Sequence, residues 1–325
     1  MTGATILGCS GPVLTESERA FFRDADPWGF ILFRRNVESV AQLQTLTGSL
    51  RETVGWQAPV FVDQEGGTVQ RLRPPLARDW PDASLPQGGP TGVYLRHRVM
   101  AAELMACGID GNCAPVIDVA GPDTHPFLQR RIWSRDPFDV ATLAMAAAEG
   151  LMKGGVLPVI KHLPGHGAAN ADTHHDLARC RLSLAQLNAA DFLPVRALAH
   201  LPLGMTSHVV YEALDPETPA TLSPTVISYL RAELGFDGLL MTDDLNMNAL
   251  PGTLASRAAG AIRAGCDLVL HCSGEMAEMV EVVAASGPLT ATARAEAALA
   301  CRRPPAPIDI DAATAEFERL SQEGA

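Results

Sequence analysis

The chain has no stretch long and apolar enough to cross a bilayer, and its first residues, MTGATILGCSGPVL, carry neither the basic flank nor the apolar run of a secretory signal. Ile6 to Cys9 has only a superficial likeness to a lipoprotein cleavage box, because no apolar segment precedes it. A cytoplasmic location without a membrane partner is therefore expected. Positive charge is scarce: 25 Lys and Arg stand against 37 Asp and Glu, a formal net charge of -12, so a polyanion is repelled and nucleic acid is excluded as a partner. The seven cysteines are odd in number, scattered and mostly set in apolar contexts such as GNCAPVI and AGCDLVLHC, which excludes a disulfide framework and suits buried thiols in a reducing compartment. There is no G-x-S-x-G elbow for a nucleophilic serine, and no G-x-G-x-x-G follows an early strand to bind a dinucleotide. Internal repeats and low-complexity linkers are also missing, so the 325 residues are expected to form a single domain.

What the chain does have is a recurrence of short apolar runs, each emptying into polar or glycine-rich sequence. Eight are candidate strands: Ala4 to Ser10, Gly29 to Phe33, Pro59 to Gly67, Gly111 to Asp118, Pro158 to Gly165, Gly204 to Val210, Gly238 to Asp244 and Asp267 to Cys272. Helical signals lie between them. Thr15 and Glu18 form a capping box, Val40, Leu43, Leu46, Leu50 and Val54 recur at helical spacing, Ser223 and Pro224 start a helix that stops at Gly235, and SRAAGAIRAG closes at Gly265. Apolar strands alternating with helices describe a covered parallel sheet, and eight of them favour a single (β/α)8 TIM-type barrel, an α/β fold, over an open doubly wound sheet. Pro74 to Pro90 reads as a long loop, and the tail from Pro304 as an extended segment ending in a short helix packed outside the barrel.

In a barrel the active site lies at the C-terminal ends of the strands. Asp63, Asp118, Lys161, His162, His208 and the pair Asp243 and Asp244 all fall there. The densest group is PVIKHLPGHGAANADTHHDL, Pro158 to Leu177, where Gly165 and Gly167 flank His166 and the loop is expected to bend and move rather than pack. His162 and His166 have i, i+4 spacing, yet Pro164 and the glycines oppose the helix that would bring both rings to one metal, so no metal site is expected. Asp172 and His174 are two apart and share a side of an extended loop, so the carboxylate can orient the ring and support its proton. With Asp243 across the mouth as a nucleophile, this pair suits glycoside hydrolysis with retention, with an imidazole in the acid's role.

These residues resemble glycoside hydrolase family 3, and within it the bacterial β-N-acetylglucosaminidases of peptidoglycan recycling. The matching pieces are GFILFRRN (Gly29 to Asn36), VDQEGGTVQRL (Val62 to Leu72), APVIDV (Ala114 to Val119), KHLPGHG with ADTHHDL (Lys161 to Leu177), SHVVY (Ser207 to Tyr211) and GFDGLLMTDDLNM (Gly235 to Met247). The resemblance implies Asp243 as nucleophile, His174 as acid/base assisted by Asp172, and Asp63, Lys161, His162 and Arg131 as sugar contacts. Arg71 and His208 are further pocket residues by the same resemblance, Asp244 caps the following helix, His166 and His175 shape the loop, and Asp118 is either pocket or support. Arg130 competes with Arg131 for the sugar contact, and Arg131 is preferred from its distance to the shared RDP ending. The implied substrate is a small saccharide, N-acetylglucosamine linked to anhydro-N-acetylmuramic acid or its peptides, taken by a monomer without cofactor. A family 3 enzyme of other sugar specificity, a phosphorylase, a metal-dependent barrel hydrolase and a non-catalytic sugar-binding barrel are the alternatives.

Overall fold

Eight short strands follow one another in the order the sequence predicts and join into one parallel sheet. They are β1 Gly3–Gly8, β2 Pro27–Leu32, β3 Val60–Val62, β4 Gly111–Asn112, β5 Leu157–Leu163, β6 Leu203–Thr206, β7 Leu239–Met241 and β8 Val269–His271. The structure is a computed structural model that describes residues 1–122, 124–169 and 177–323. Each strand from β1 to β6 pairs with the next, and β8 pairs with β1. The ring is completed by a parallel bridge between Met241 and Leu268, where Thr242 N–H donates to Leu268 O and Leu268 N–H to Leu240 O, both at 3.0 Å. The sheet is thus a closed barrel rather than an open wound one.

Alternation along the strands sorts side chains between two layers. Ile6, Ile31, Phe61, Val159, Leu203, Met205, Leu239 and Leu270 pack together inside the ring, while Leu7, Phe30, Leu32, Val60 and Val62 pack outward against the helices. The expected helices form. Thr15 caps Glu16–Ala25 with a reciprocal capping box, and Val40–Val54 and Leu254–Ala264 each end on a left-handed glycine, Gly55 and Gly265. All seven cysteines are free and five are buried, and among the described residues no helix is long and apolar enough to cross a membrane.

Three of the expected runs leave the barrel early for a reason visible in their backbone. The run Gly111 to Asp118 keeps only β4, because Ala114 N–H turns back onto Asn112 O at 2.8 Å and Pro115 has no N–H to give; the chain rejoins the barrel where Val116 bridges Lys161. The run Pro59 to Gly67 ends at Asp63, after which Gln64–Gly66 folds back as an antiparallel pair with Val69–Gln70. The run Gly204 to Val210 breaks at Ser207 and His208, and Val209–Tyr211 pairs with Ala178–Cys180 outside the ring. Helix Gly89–Ala106 begins inside the expected Pro74 to Pro90 loop. The tail from Pro304 ends in helix Ile310–Glu323, whose Phe317 meets the Trp80 ring edge-on at 5.5 Å.

Candidate active site

The residues at the C-terminal ends of β3, β5 and β7 surround one cavity of about 210 Å³, lined by Asp63, Glu65, Arg71, Arg131, Lys161, His162, His166 and Asp243 together with Thr68, Val69, Phe127 and Leu128. Its floor is a lattice of ion pairs. Lys161 Nζ lies 2.9 Å from Asp63 Oδ1 and 2.6 Å from Glu65 Oε1. Arg71 donates to the other Asp63 oxygen at 2.9 Å, and Arg131 grips Glu65 with two bonds of 2.9 and 2.8 Å. Three cations therefore face Asp63, Glu65 and Asp243, and the wall is balanced in charge. Burial on its own would raise the two paired carboxyls, but Lys161 with Arg71 holds Asp63 well below the usual carboxylate range, and Arg131 with Lys161 holds Glu65 at about 2. Burial is likewise overcome at Lys161, whose two carboxylate neighbours raise its pKa above the ordinary lysine value.

Local structure fixes this lattice. Gln64, directly after Asp63, uses its whole side chain: Nε2 donates to Leu72 O at 2.8 Å, and Oε1 accepts from the Arg71 and Leu72 N–H groups at 3.0 Å each. That closes the hairpin and delivers Arg71 to Asp63, with the Phe33 ring 5.3 Å from its guanidinium carbon. Glu65 is held from behind by Arg96, a fully buried residue of helix Gly89–Ala106 whose Nη2 donates to Glu65 O at 2.5 Å. A Cβ at Gly66, where φ is +104, would lie 1.9 Å from that same nitrogen, so only glycine fits.

Lys161 and His162, consecutive on β5, both line the cavity. Asp118 supports the second: its Oδ2 accepts from His162 Nδ1 at 2.8 Å, and its Oδ1 accepts from the backbone N–H groups of His162 and His166 at 3.2 and 2.9 Å. Arg131 can only donate across its 3.5 Å contact with His162 Nε2, which puts the imidazole proton on Nδ1. Asp118, His162 and His166 are the one group of three among the described residues that could offer ligand atoms to a metal. Both Asp118 oxygens are already engaged in positioning the two histidines, so the group is built as a support.

Asp243, after β7, is half-buried and forms no ion pair among the described residues. Burial opposes its charge, yet His208, His162, the Asp244 N–H at 2.8 Å and Lys161 together lower its pKa below the ordinary value. It is thus an ionised carboxylate that no cation among the described residues pairs directly, the state a nucleophile needs.

Several expectations are corrected. His208 is not in the cavity wall: Nδ1 meets Thr221 Oγ1 at 2.7 Å and Nε2 meets Asp244 O at 3.0 Å, so both ring nitrogens are spent bracing the turn behind Asp243. Asp244 caps a turn, accepting from Asn246 and Cys272 N–H at 3.2 Å each, and no helix follows until Leu254. Arg131 enters the cavity wall, whereas Arg130 is exposed and pairs with Asp82 at 2.7 Å. The loop after β5 packs as far as Ala169: a Cβ at Gly167 would lie 1.8 Å from Val119 O and one at Gly165 would lie 2.7 Å from Asp191 Cβ, so close approach is what demands these glycines. Asp172, His174 and His175 lie outside the described residues. The sequence reading missed Glu65, although an extended strand puts it on the same side as Asp63, and assigned His166 to loop shaping although it lines the cavity.

Known proteins resemble this chain in sequence and fold. Residues 14–300 match the sequence pattern of the Glycosyl hydrolase family 3 N terminal domain. The chain is 37% identical over 284 residues to a beta-hexosaminidase of Chromobacterium violaceum, covering 83% of this chain and 79% of that protein. It is 38% identical over 291 residues to a beta-hexosaminidase of Alkalilimnicola ehrlichii, covering 84% and 81%. Among solved structures, a family 3 beta-N-acetylglucosaminidase from a Paenibacillus species superposes with a TM-score of 0.87 at 28% identity, over 99% of this chain and 67% of the other. NagZ from Neisseria gonorrhoeae, solved in complex with N-trifluoroacetyl-D-glucosamine, superposes with a TM-score of 0.82 at 30% identity, over 99% and 97%. The barrel fold and the matched sequence converge, and the chain belongs to glycosyl hydrolase family 3 through that family's N-terminal domain.

Proposed function

We propose that this single-domain, monomeric, cytoplasmic barrel is an exo-acting, retaining β-N-acetylglucosaminidase that removes terminal β-linked N-acetylglucosamine from peptidoglycan-derived muropeptides. The observation that carries this reading is Asp243, ionised and without an ion-pair partner among the described residues, in the same cavity as a wall in which Asp63, Glu65, Lys161 and Arg131 are already locked together. A cavity of about 210 Å³ is smaller than the roughly 300–1,000 Å³ of sites for drug-sized ligands, and suits one sugar ring rather than an oligosaccharide. Relatives named for hexosaminidase activity, and a neighbour solved with a glucosamine derivative, favour an N-acetylated sugar.

In this mechanism the sugar hydroxyls meet Asp63, Lys161, His162 and Arg131 in fixed positions, so little reorganisation accompanies binding. Asp243 attacks the anomeric carbon as His174, supported by Asp172, gives its proton to the departing oxygen. Water then releases the sugar with His174 as base, and the anomeric configuration is retained. The test is incubation with a 2-acetamido sugar carrying a good leaving group and a fluorine that slows deglycosylation, followed by peptide mass mapping. A sugar adduct on Asp243 is expected; an adduct elsewhere, or inverted product, removes the proposal.

A further inference from the structure

His166 is a polar group of the cavity wall to which this chemistry gives no task. It follows β5, is 5% exposed, and lines the cavity beside Asp243, Lys161 and His162. Its position is fixed without help from its ring, because its backbone N–H is held by Asp118 Oδ1 at 2.9 Å. The ring meets His162 edge-on, with centroids 5.5 Å apart and planes at 86°. Its Nε2 is buried and has no hydrogen-bond partner among the described residues. Asp63, Glu65, Arg131, Lys161 and His162 each have protein partners in the same wall. A buried ring nitrogen left unpaired is costly, and such a group in a native site points to a ligand that pairs it.

The charge state agrees with that use. Burial, and after it the neighbouring His162, lower the His166 pKa to about 4, so the ring is neutral at ordinary pH and its nitrogens divide into one donor and one acceptor. A neutral ring can bond a hydroxyl or an acetamido group without adding a fourth cation to the balanced wall. Metal binding is a poorer fit, because Asp118, the carboxylate grouped with His162 and His166 among the described residues, is occupied at both oxygens.

Resting on the functional reading above, we propose that His166 is a substrate-contacting, specificity-determining residue whose Nε2 hydrogen-bonds one polar substituent of the sugar in the cavity. A hydroxyl-recognising site discriminates strongly against an analogue lacking that group, because its own buried partner is then stranded.

The experiment pairs variants with substrates. Wild type and His166→Leu are assayed on aryl β-N-acetylglucosaminides that lack, one at a time, the 2-acetamido group or the 3-, 4- or 6-hydroxyl. His166→Leu is expected to lower kcat/KM on the complete sugar by about 10- to 100-fold. On one deoxy substrate the loss should shrink to about 2-fold, because the partner is already gone, and on the others it should stay whole. His166→Gln, whose amide reaches towards the Nε2 position, should recover part of the loss. An equal loss on every substrate, or none, overturns the proposal, since a merely structural histidine would affect all of them alike. Should neither variant fold, the ¹⁵N resonance of His166 Nε2 in the wild-type protein is followed during titration with N-acetylglucosamine: a saturable shift supports the contact and an unmoved resonance with bound sugar overturns it. Absence of wild-type turnover on any aryl N-acetylglucosaminide would instead sink the functional reading itself.

Discussion

Replacing Glu65 with glutamine keeps the shape of the pocket floor and removes the charge that joins Lys161 to Arg131. In the folded protein the Glu65 carboxyl lies at about 2 against an ordinary 4.5, a displacement worth about 3 kcal/mol. Breaking one partner out of a buried ion pair costs about 3–5 kcal/mol in other proteins, so the two routes agree. Because the folded pKa is depressed, this stability is fully present above pH ~4.5 and is lost as pH falls through about 2. Glu65→Gln should therefore unfold about 3 kcal/mol earlier than wild type at pH 7, with the gap closing towards pH 2. Urea melts at a series of pH values, followed by far-UV circular dichroism, measure this directly. The same variant should lose about 10- to 100-fold in kcat/KM, since Lys161 and Arg131 no longer share an anchor. A variant as stable as wild type at pH 7, or a deficit unchanged at pH 2.5, would refute the idea that the carboxylate binds the lattice together.

Asp191 predicts the opposite sign. It is 3% exposed, accepts one N–H from Ala168 at 3.3 Å, and burial, with Asp118 nearby, lifts its pKa from 3.8 to about 7. Its raised pKa means no cost below pH ~4 and a growing one up to pH 7, so Asp191→Asn should match wild type in acid and exceed it by up to about 4 kcal/mol at pH 8 in the same melts. Gly66→Ala, which drives a methyl into Arg96 at a left-handed position, should cost about 2 kcal/mol or more and lower kcat/KM, read by calorimetry and steady-state kinetics. Asp243→Ala should abolish turnover with an unchanged melting temperature. His174→Ala should slow poor leaving groups far more than activated aryl glycosides, and equal losses on both would remove His174 from the acid's role.

The barrel was readable because apolar runs and helix punctuation are local signals: all eight strands fall inside or beside their expected runs. Polar strand ends then located Asp63, Lys161, His162 and Asp243 around one mouth. What stayed hidden were contacts made across the fold. Glu65 meets Arg131 66 residues away, and Arg96 reaches the site from a helix whose sequence carries no catalytic pattern. His208 and His166 show the same limit: both sit at polar strand ends, and only packing reveals that one has spent both nitrogens while the other has one to spare.

The last helix has a mechanical consequence. Phe317 butts against Trp80, the guanidinium of Arg96 lies 5.8 Å from the same indole, and Arg96 holds the Glu65 carbonyl. From helix Ile310–Glu323 to the cations of the cavity floor there is a continuous row of packed groups, with the Gly89–Ala106 helix as its beam. The terminal helix therefore serves as a buttress for the buried charges, and loosening that exterior prop would be felt first at the cavity floor.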